Sequence, residues 1–154
     1  MIEGASFYKT CFVVPDLAAA AARWSAGFGF SWLEVAEKEL AYDLAGVPSV
    51  VTSHALITRE RPRIHLIQEV QGTPWVGSPS GAAHHVAYWV ADVPAAVVHL
   101  VSLGFVVECS DSDPAGPQLW AYLIDPQGVR VELLARFADD PEAMIDALPP
   151  ASFA

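Results

Sequence analysis

The most constraining feature of this 154-residue chain is that it carries one pattern twice. Lys9-Thr10-Cys11-Phe12-Val13-Val14-Pro15-Asp16 lies under His85-Val86-Ala87-Tyr88-Trp89-Val90-Ala91-Asp92, an offset of 76 (85 − 9). Gly29-Phe30 lies under Gly104-Phe105, and Arg63-Ile64-His65-Leu66-Ile67 under Arg130-Val131-Glu132-Leu133-Leu134, where the offset has fallen to 67 (130 − 63). The drop places about nine extra residues in the hairpin region of the first copy, where insertions are tolerated. A unit repeated at this length is a supersecondary module that buries its apolar face only when stacked on another.

Local signals give each copy its elements. In the first, Phe7 to Val14 is an apolar, β-branched run ended by Pro15. Asp16 caps an alanine-rich helix from Leu17 to Trp24, and Gly27 and Gly29 stop it. Strands are expected over Phe30–Val35 and Leu40–Leu44, with a turn at Glu37-Lys38 between them. Two more are expected at Ser49–Thr58 and Arg63–Val70, after a turn at Gly46-Val47-Pro48. Gly72 to Ser80 is the one long Gly/Pro/Ser/Thr stretch, a linker or a lid. In the second copy His85–Val90 is a strand, Asp92 caps a helix over Ala95–Leu103, and Gly104-Phe105 opens a strand to Cys109. Asp111–Pro117 is a turn. Leu119–Ile124 and Val129–Ala135 are strands joined by Asp125-Pro126-Gln127-Gly128. The expected fold class is α+β, with two tandem βαβββ modules whose mixed sheets enclose a cavity. Residues 1–72 form the first module, 73–82 a linker, 83–137 the second module and 138–154 a helical C-terminal tail.

Composition narrows the partners. Hydrophobic residues are 53% and charged residues 17%, so a packed core is expected rather than disorder. A net charge of −10 with only eight Lys and Arg provides no patch for nucleic acid, nor for an anionic membrane surface. No run of 18 apolar residues spans a bilayer. Met1-Ile2-Glu3-Gly4 has neither the basic nor the apolar region of a signal peptide, and Cys11 and Cys109 make no disulfide framework, so a reduced, cytoplasmic protein is expected.

Strand parity then selects the chemistry. His85, Ala87 and Trp89 share one face of their strand, while Val86, Tyr88 and Val90 share the face expected to pack under the helices. Lys9 is the repeat-mate of His85. Arg63, His65 and Ile67 share a face, as do Arg130, Glu132 and Leu134. If a pseudo-twofold relates the copies, Lys9, His65, His85 and Glu132 converge. Two imidazoles and a carboxylate suit a divalent ion such as Zn, Ni, Co, Mn or Fe; a protonated lysine has no lone pair to give.

The chain resembles the vicinal oxygen chelate superfamily, which includes glyoxalase I, methylmalonyl-CoA epimerase, extradiol dioxygenases, and fosfomycin and bleomycin resistance proteins. The resemblance is carried by His84-His85-Val86-Ala87-Tyr88-Trp89-Val90-Ala91-Asp92, Val14-Pro15-Asp16-Leu17, Ile64-His65-Leu66-Ile67-Gln68 and Asp125-Pro126-Gln127-Gly128-Val129-Arg130-Val131-Glu132-Leu133, and it spans residues 7 to 135. The layout from His65 and Gln68 through Gly72-Thr73-Pro74-Trp75 to His84-His85 is most similar to the glyoxalase-like and epimerase-like branch. The resemblance implies metal ligands at the Lys9, His65, His85 and Glu132 positions, no organic cofactor, a homodimer, and an isomerase or lyase that takes a proton from beside a carbonyl.

Lys9 departs from the pattern, where histidine is usual, and leaves two readings open. In one, His65, His85 and Glu132 hold a metal and Lys9 turns aside or adds positive charge for an oxyanion. In the other, Lys9 and Glu132 pair where the metal would be. An ammonium 4 Å from a cation is repelled by several kcal/mol at an effective dielectric of about 20. The functional counterpart of this choice is an enzyme, with Glu132 as ligand or base and Lys9 or a metal stabilising an enolate, against a metal-free protein that sequesters an antibiotic-like ligand. Cys11, on the Lys9 face, and Trp89, on the His85 face, are expected to line the pocket. Glu34 and Tyr122 are further candidates that parity alone does not place. His84 is read as solvent-side or beside a ligand, His54 and His99 as structural, and Arg61 and Arg63 as surface residues.

Overall fold

The structure is a computed structural model that describes residues 2, 5–112 and 116–152. Of the turn expected at Asp111–Pro117, residues 113–115 lie outside the described residues. The elements are β1 (Ser6–Val14), α1 (Leu17–Phe28), β2 (Trp32–Leu44), β3 (Val47–Thr58), β4 (Arg63–Gln68), β5 (His85–Val90), α2 (Val93–Ser102), β6 (Val106–Asp111), β7 (Trp120–Ile124), β8 (Arg130–Ala135) and α3 (Pro141–Asp146). The βαβββ order thus occurs twice, and the fold is α+β with mixed sheets.

The helices begin where the caps stand. The Asp16 carboxylate accepts the Ala19 N–H at 2.8 Å and that of Asp92 accepts the Ala95 N–H at 2.9 Å. Each such bond satisfies one of the otherwise orphaned first-turn donors. α1 ends on Gly29 in the left-handed region, φ 74°.

Two compact units result. One, the His85 unit, comprises Met1–Tyr8, Glu39–Val51 and His85–Phe137. Here β5 runs parallel to β8, and β7 pairs antiparallel with both β8 and β6. Tyr42–Leu44 of β2 pair with Cys109–Asp111 of β6. Val90, Ala121, Leu123 and Leu133 pack beneath Val93 and Ala96 of α2 in a buried cluster, so α2 covers one face of this sheet.

The Lys9 unit comprises Lys9–Lys38, Thr52–His84 and Ala138–Ala154. In it β1 runs parallel to β4, which pairs antiparallel with β3. Ala20 and Ala21 of α1 pack on Trp32, Leu56 and Leu66.

Two sequence expectations need correction. The turn at Glu37-Lys38 does not form, and β2 runs unbroken from Trp32 to Leu44. Its middle is exposed on both sides, so charged residues there mark a solvated strand rather than a reversal. The reversal comes at Ala45-Gly46, both at positive φ (51° and 88°), with the Asp43 carboxylate accepting the Gly46 N–H at 2.6 Å. Two residues of positive φ between antiparallel strands match the twist of the ladder. Arg63 is not a surface residue but only 1% exposed. Its guanidinium donates to the Thr58 and Arg59 carbonyls, both at 2.8 Å, and to Glu142 and Asp146 of α3 at 3.0 and 2.7 Å.

The Gly72–Ser80 stretch is packed. Trp75 is 4% exposed, its carbonyl accepts the Val70 N–H at 3.0 Å, and the Gly77 N–H donates to Glu69 at 2.8 Å. A Cβ on Gly77 would fall 2.9 Å from the Val13 carbonyl oxygen of β1. Gly77→Ala must therefore push the segment off the strand, and a loss of about 1–3 kcal/mol in chemical denaturation is expected, as for other overpacked sites.

Candidate active site

Ladder partners in adjacent strands lie on the same face of a sheet. The register pairs Ala87 with Glu132 and Glu132 with Tyr122, and Tyr122 with Cys109. His85, Ala87, Trp89, Glu132, Tyr122 and Cys109 therefore share the face of the His85 unit that α2 does not cover. The residues packed under α2 are the apolar alternates, so the same period that builds the core leaves the polar set together.

On that face the His85 Nε2 stands 3.1 Å from the Glu132 Oε2. His85 is 2% exposed and Glu132 6%. With Glu132 ionised, the imidazole proton resides on Nε2 and His85 donates to the carboxylate. The His85 ring lies 4.8 Å from that of Tyr122, which fixes its tilt from the side. Removing a carboxylate from water costs several kcal/mol, and buried pairs of this kind are often no more stabilising than an apolar pair of the same volume. Such an arrangement points to chemistry. Beside it, Arg130 donates to Glu108 twice, at 2.6 Å each, a forked pair that neutralises both.

Cys109 is no nucleophile. Burial above all, and then the Glu108 carboxylate, push its thiol up to about 12, so it is protonated at neutral pH and fills space beside Tyr122. Trp89 is 6% exposed, with Tyr8 stacked at 4.3 Å.

The remaining sequence candidates belong to the Lys9 unit. Lys9 (6% exposed), Cys11 (fully buried) and His65 (7%) share one face, because Lys9 opposes Arg63 and Cys11 opposes His65 in the β1–β4 ladder. The Cys11 carbonyl accepts the His84 N–H at 2.7 Å, and the His84 Nε2 bonds the Pro74 carbonyl at 2.8 Å. His84 is thus buried and ties the 72–80 segment to β1, rather than facing solvent. His54 pairs with Glu37 on the surface, His99 lies in the last turn of α2, and Glu34 is exposed. Tyr122, which parity left unplaced, is the residue that the structure adds to the site. Only the β7–β8 register could have found it.

Among the described residues no three His, Cys, Asp or Glu side chains form a group that could hold a metal ion. His85 and Glu132 supply two donors, one short of the three that a catalytic zinc takes from protein. Among the described residues no helix is long and apolar enough to cross a membrane.

The family model described as glyoxalase/bleomycin resistance protein/dioxygenase superfamily matches residues 8–122. A variant of the Streptomyces coelicolor methylmalonyl-CoA epimerase, in complex with 2-nitronate-propionyl-CoA, is similar in structure with a TM-score of 0.59 and 18% identity, over 86% of this chain and 97% of that one. The Mycobacterium tuberculosis methylmalonyl-CoA epimerase is similar with a TM-score of 0.56 and 17% identity, over 86% and 88%. A hypothetical protein from Bacillus halodurans is similar with a TM-score of 0.59 and 14% identity, over 90% and 99%. No curated protein matches the chain in sequence. At these identities the structural likeness concerns the fold.

Proposed function

The chain belongs to the glyoxalase/bleomycin resistance protein/dioxygenase superfamily, and on that premise we propose that it is a small-molecule isomerase or lyase of the epimerase and glyoxalase-like kind. The observation that carries this reading is the buried His85–Glu132 pair at 3.1 Å. A proton beside a thioester or ketone carbonyl is weakly acidic, and its removal leaves an enolate. Glu132, shielded from water, accepts that proton. His85 holds the carboxylate in place before transfer and takes up the changing charge after it. Protonation of the same carbon from its opposite face, by an acid on that side, gives the epimer; with an α-hydroxy ketone or hemithioacetal the intermediate is an enediolate, and protonation of its other carbon as the hydroxyl proton moves to the adjacent oxygen gives the isomer.

The enolate oxygen needs a positive partner. The internal repeat proposes Lys9 for this role, since it holds in its own copy the place that His85 holds in the other. The alternative from sequence is a divalent metal on His65, His85 and Glu132, which would act as a Lewis acid on the same oxygen. A cytoplasmic homodimer belongs to the same reading.

The epimerase structures supply the first substrate to try, methylmalonyl-CoA. Incubation in D₂O followed by mass spectrometry is expected to show deuterium entering the carbon between the two carbonyls, and metal analysis of protein purified without chelator decides between Lys9 and a metal. No exchange with methylmalonyl-CoA or with a panel of α-hydroxy ketones and hemithioacetals, alongside tight ligand binding, would instead establish the metal-free sequestering protein. The buried aromatics Trp89 and Tyr8 favour that second reading.

A further inference from the structure

Trp89 has a group that the acid–base pair does not use. The residue is 6% exposed, yet its Nε1–H meets no hydrogen-bond acceptor among the described residues. Buried donors left without an acceptor are uncommon, because the N–H gives up its water and receives nothing in return. Trp32 of the same chain shows the ordinary arrangement. Its Nε1–H donates to the Ala21 carbonyl at 3.1 Å and the Ser25 hydroxyl at 3.0 Å.

The position of this donor is suggestive. Trp89 is on the same strand face as His85, with the small Ala87 between them. Four residues of strand separate them by about 13 Å along the backbone. Tyr8 covers one side of the indole at 4.3 Å and 30°, and Phe137 meets it edge-on at 6.3 Å while itself 55% exposed. The ladder partner of Trp89 is Leu134. These neighbours are uncharged. An anion buried here would exchange its hydration for one neutral donor, an unfavourable trade, whereas a neutral carbonyl oxygen gives up less and gains an N–H···O bond.

We propose that the Trp89 Nε1–H is a ligand-binding donor, and that it takes a neutral carbonyl or amide oxygen on the part of the ligand remote from the reacting carbon. Tyr8 forms the apolar wall behind that group, and the exposed Phe137 ring gives way as the ligand enters. The proposal rests on the reading that the His85 face receives the ligand. It adds that the ligand reaches past the reacting carbon and carries its neutral acceptor on the order of 7 Å along the strand from the base, because Glu132 lies opposite Ala87, two residues short of Trp89.

The test is the indole N–H resonance of Trp89, assigned by its loss in Trp89→Phe and followed during titration with methylmalonyl-CoA, N-methylacetamide, acetate and inorganic phosphate. The two amide-bearing probes are expected to move it downfield, while the resonance of Trp32 stays in place. Trp89→Phe removes the donor and keeps only the six-membered part of the indole; with its fold checked by a melting curve, it is expected to bind methylmalonyl-CoA roughly three- to tenfold more weakly. A resonance that none of the four probes moves overturns the proposal. So does one moved only by the anions, or an unchanged affinity in Trp89→Phe. If N-methylacetamide moves the resonance while methylmalonyl-CoA neither binds nor exchanges deuterium, the proposal stands and the epimerase reading fails.

Discussion

Glu132→Gln is expected to lower the rate of deuterium incorporation by roughly 10²–10⁴-fold, the usual contribution of a positioned base. Glutamine has nearly the same shape and can still accept from the His85 Nε2 through its amide oxygen, so the fold is expected to survive. What it cannot do is take a proton. Ligand affinity measured by calorimetry should therefore change far less than the rate. A drop in both together, with an unaltered melting curve, would assign Glu132 to binding and sink its role as base. Tyr122→Phe keeps the ring 4.8 Å from His85 and isolates what the hydroxyl contributes to the rate. A sequestering protein would show no exchange in either form.

Arg63→Ala is expected to cost about 2–4 kcal/mol of stability, the largest effect away from the site, because two carbonyls lose a buried charged donor and α3 loses its anchor. The exposed Arg61 also reaches Glu142 and Asp146, at 3.1 and 2.9 Å. Its removal should scarcely move the unfolding transition, since side chains in open water gain little from pairing. Asp146→Asn cuts the same anchor more gently and should lie between the two. The acid dependence follows from Asp146, whose carboxyl is held below its ordinary value by Arg63 first and Arg61 second. A group with a depressed folded pKa stabilises above its unfolded pKa, near 4, and this contribution fades as pH falls through the folded value. The gap between parent and Arg63→Ala should accordingly be full at neutral pH and narrow below about pH 4. A gap independent of pH would assign the whole cost to the Thr58 and Arg59 carbonyls.

These two residues show how far the sequence could be read. His85 and Glu132 were legible because each sits on a strand whose alternation separates an apolar face from a polar one, and because the repeat names equivalent positions in the two copies. The caps Asp16 and Asp92 were legible for the same local reason. The burial of Arg63 is not legible locally, because it depends on α3, some eighty residues further on. At Glu37-Lys38 the local sequence does not separate a turn from a solvated strand, and the structure has the strand.

By itself the sequence determined the βαβββ order, the paired copies, the family and which side chains share a strand face, since each of these is written in spacings of two to four residues or in the repeat. Only the tertiary structure decided that Tyr122 flanks His85, that Arg63 anchors α3, and that the Trp89 N–H meets no acceptor among the described residues. Those facts depend on which residue lies opposite which in a neighbouring strand or helix. Such register is set by packing over long stretches of chain, which local spacing does not encode.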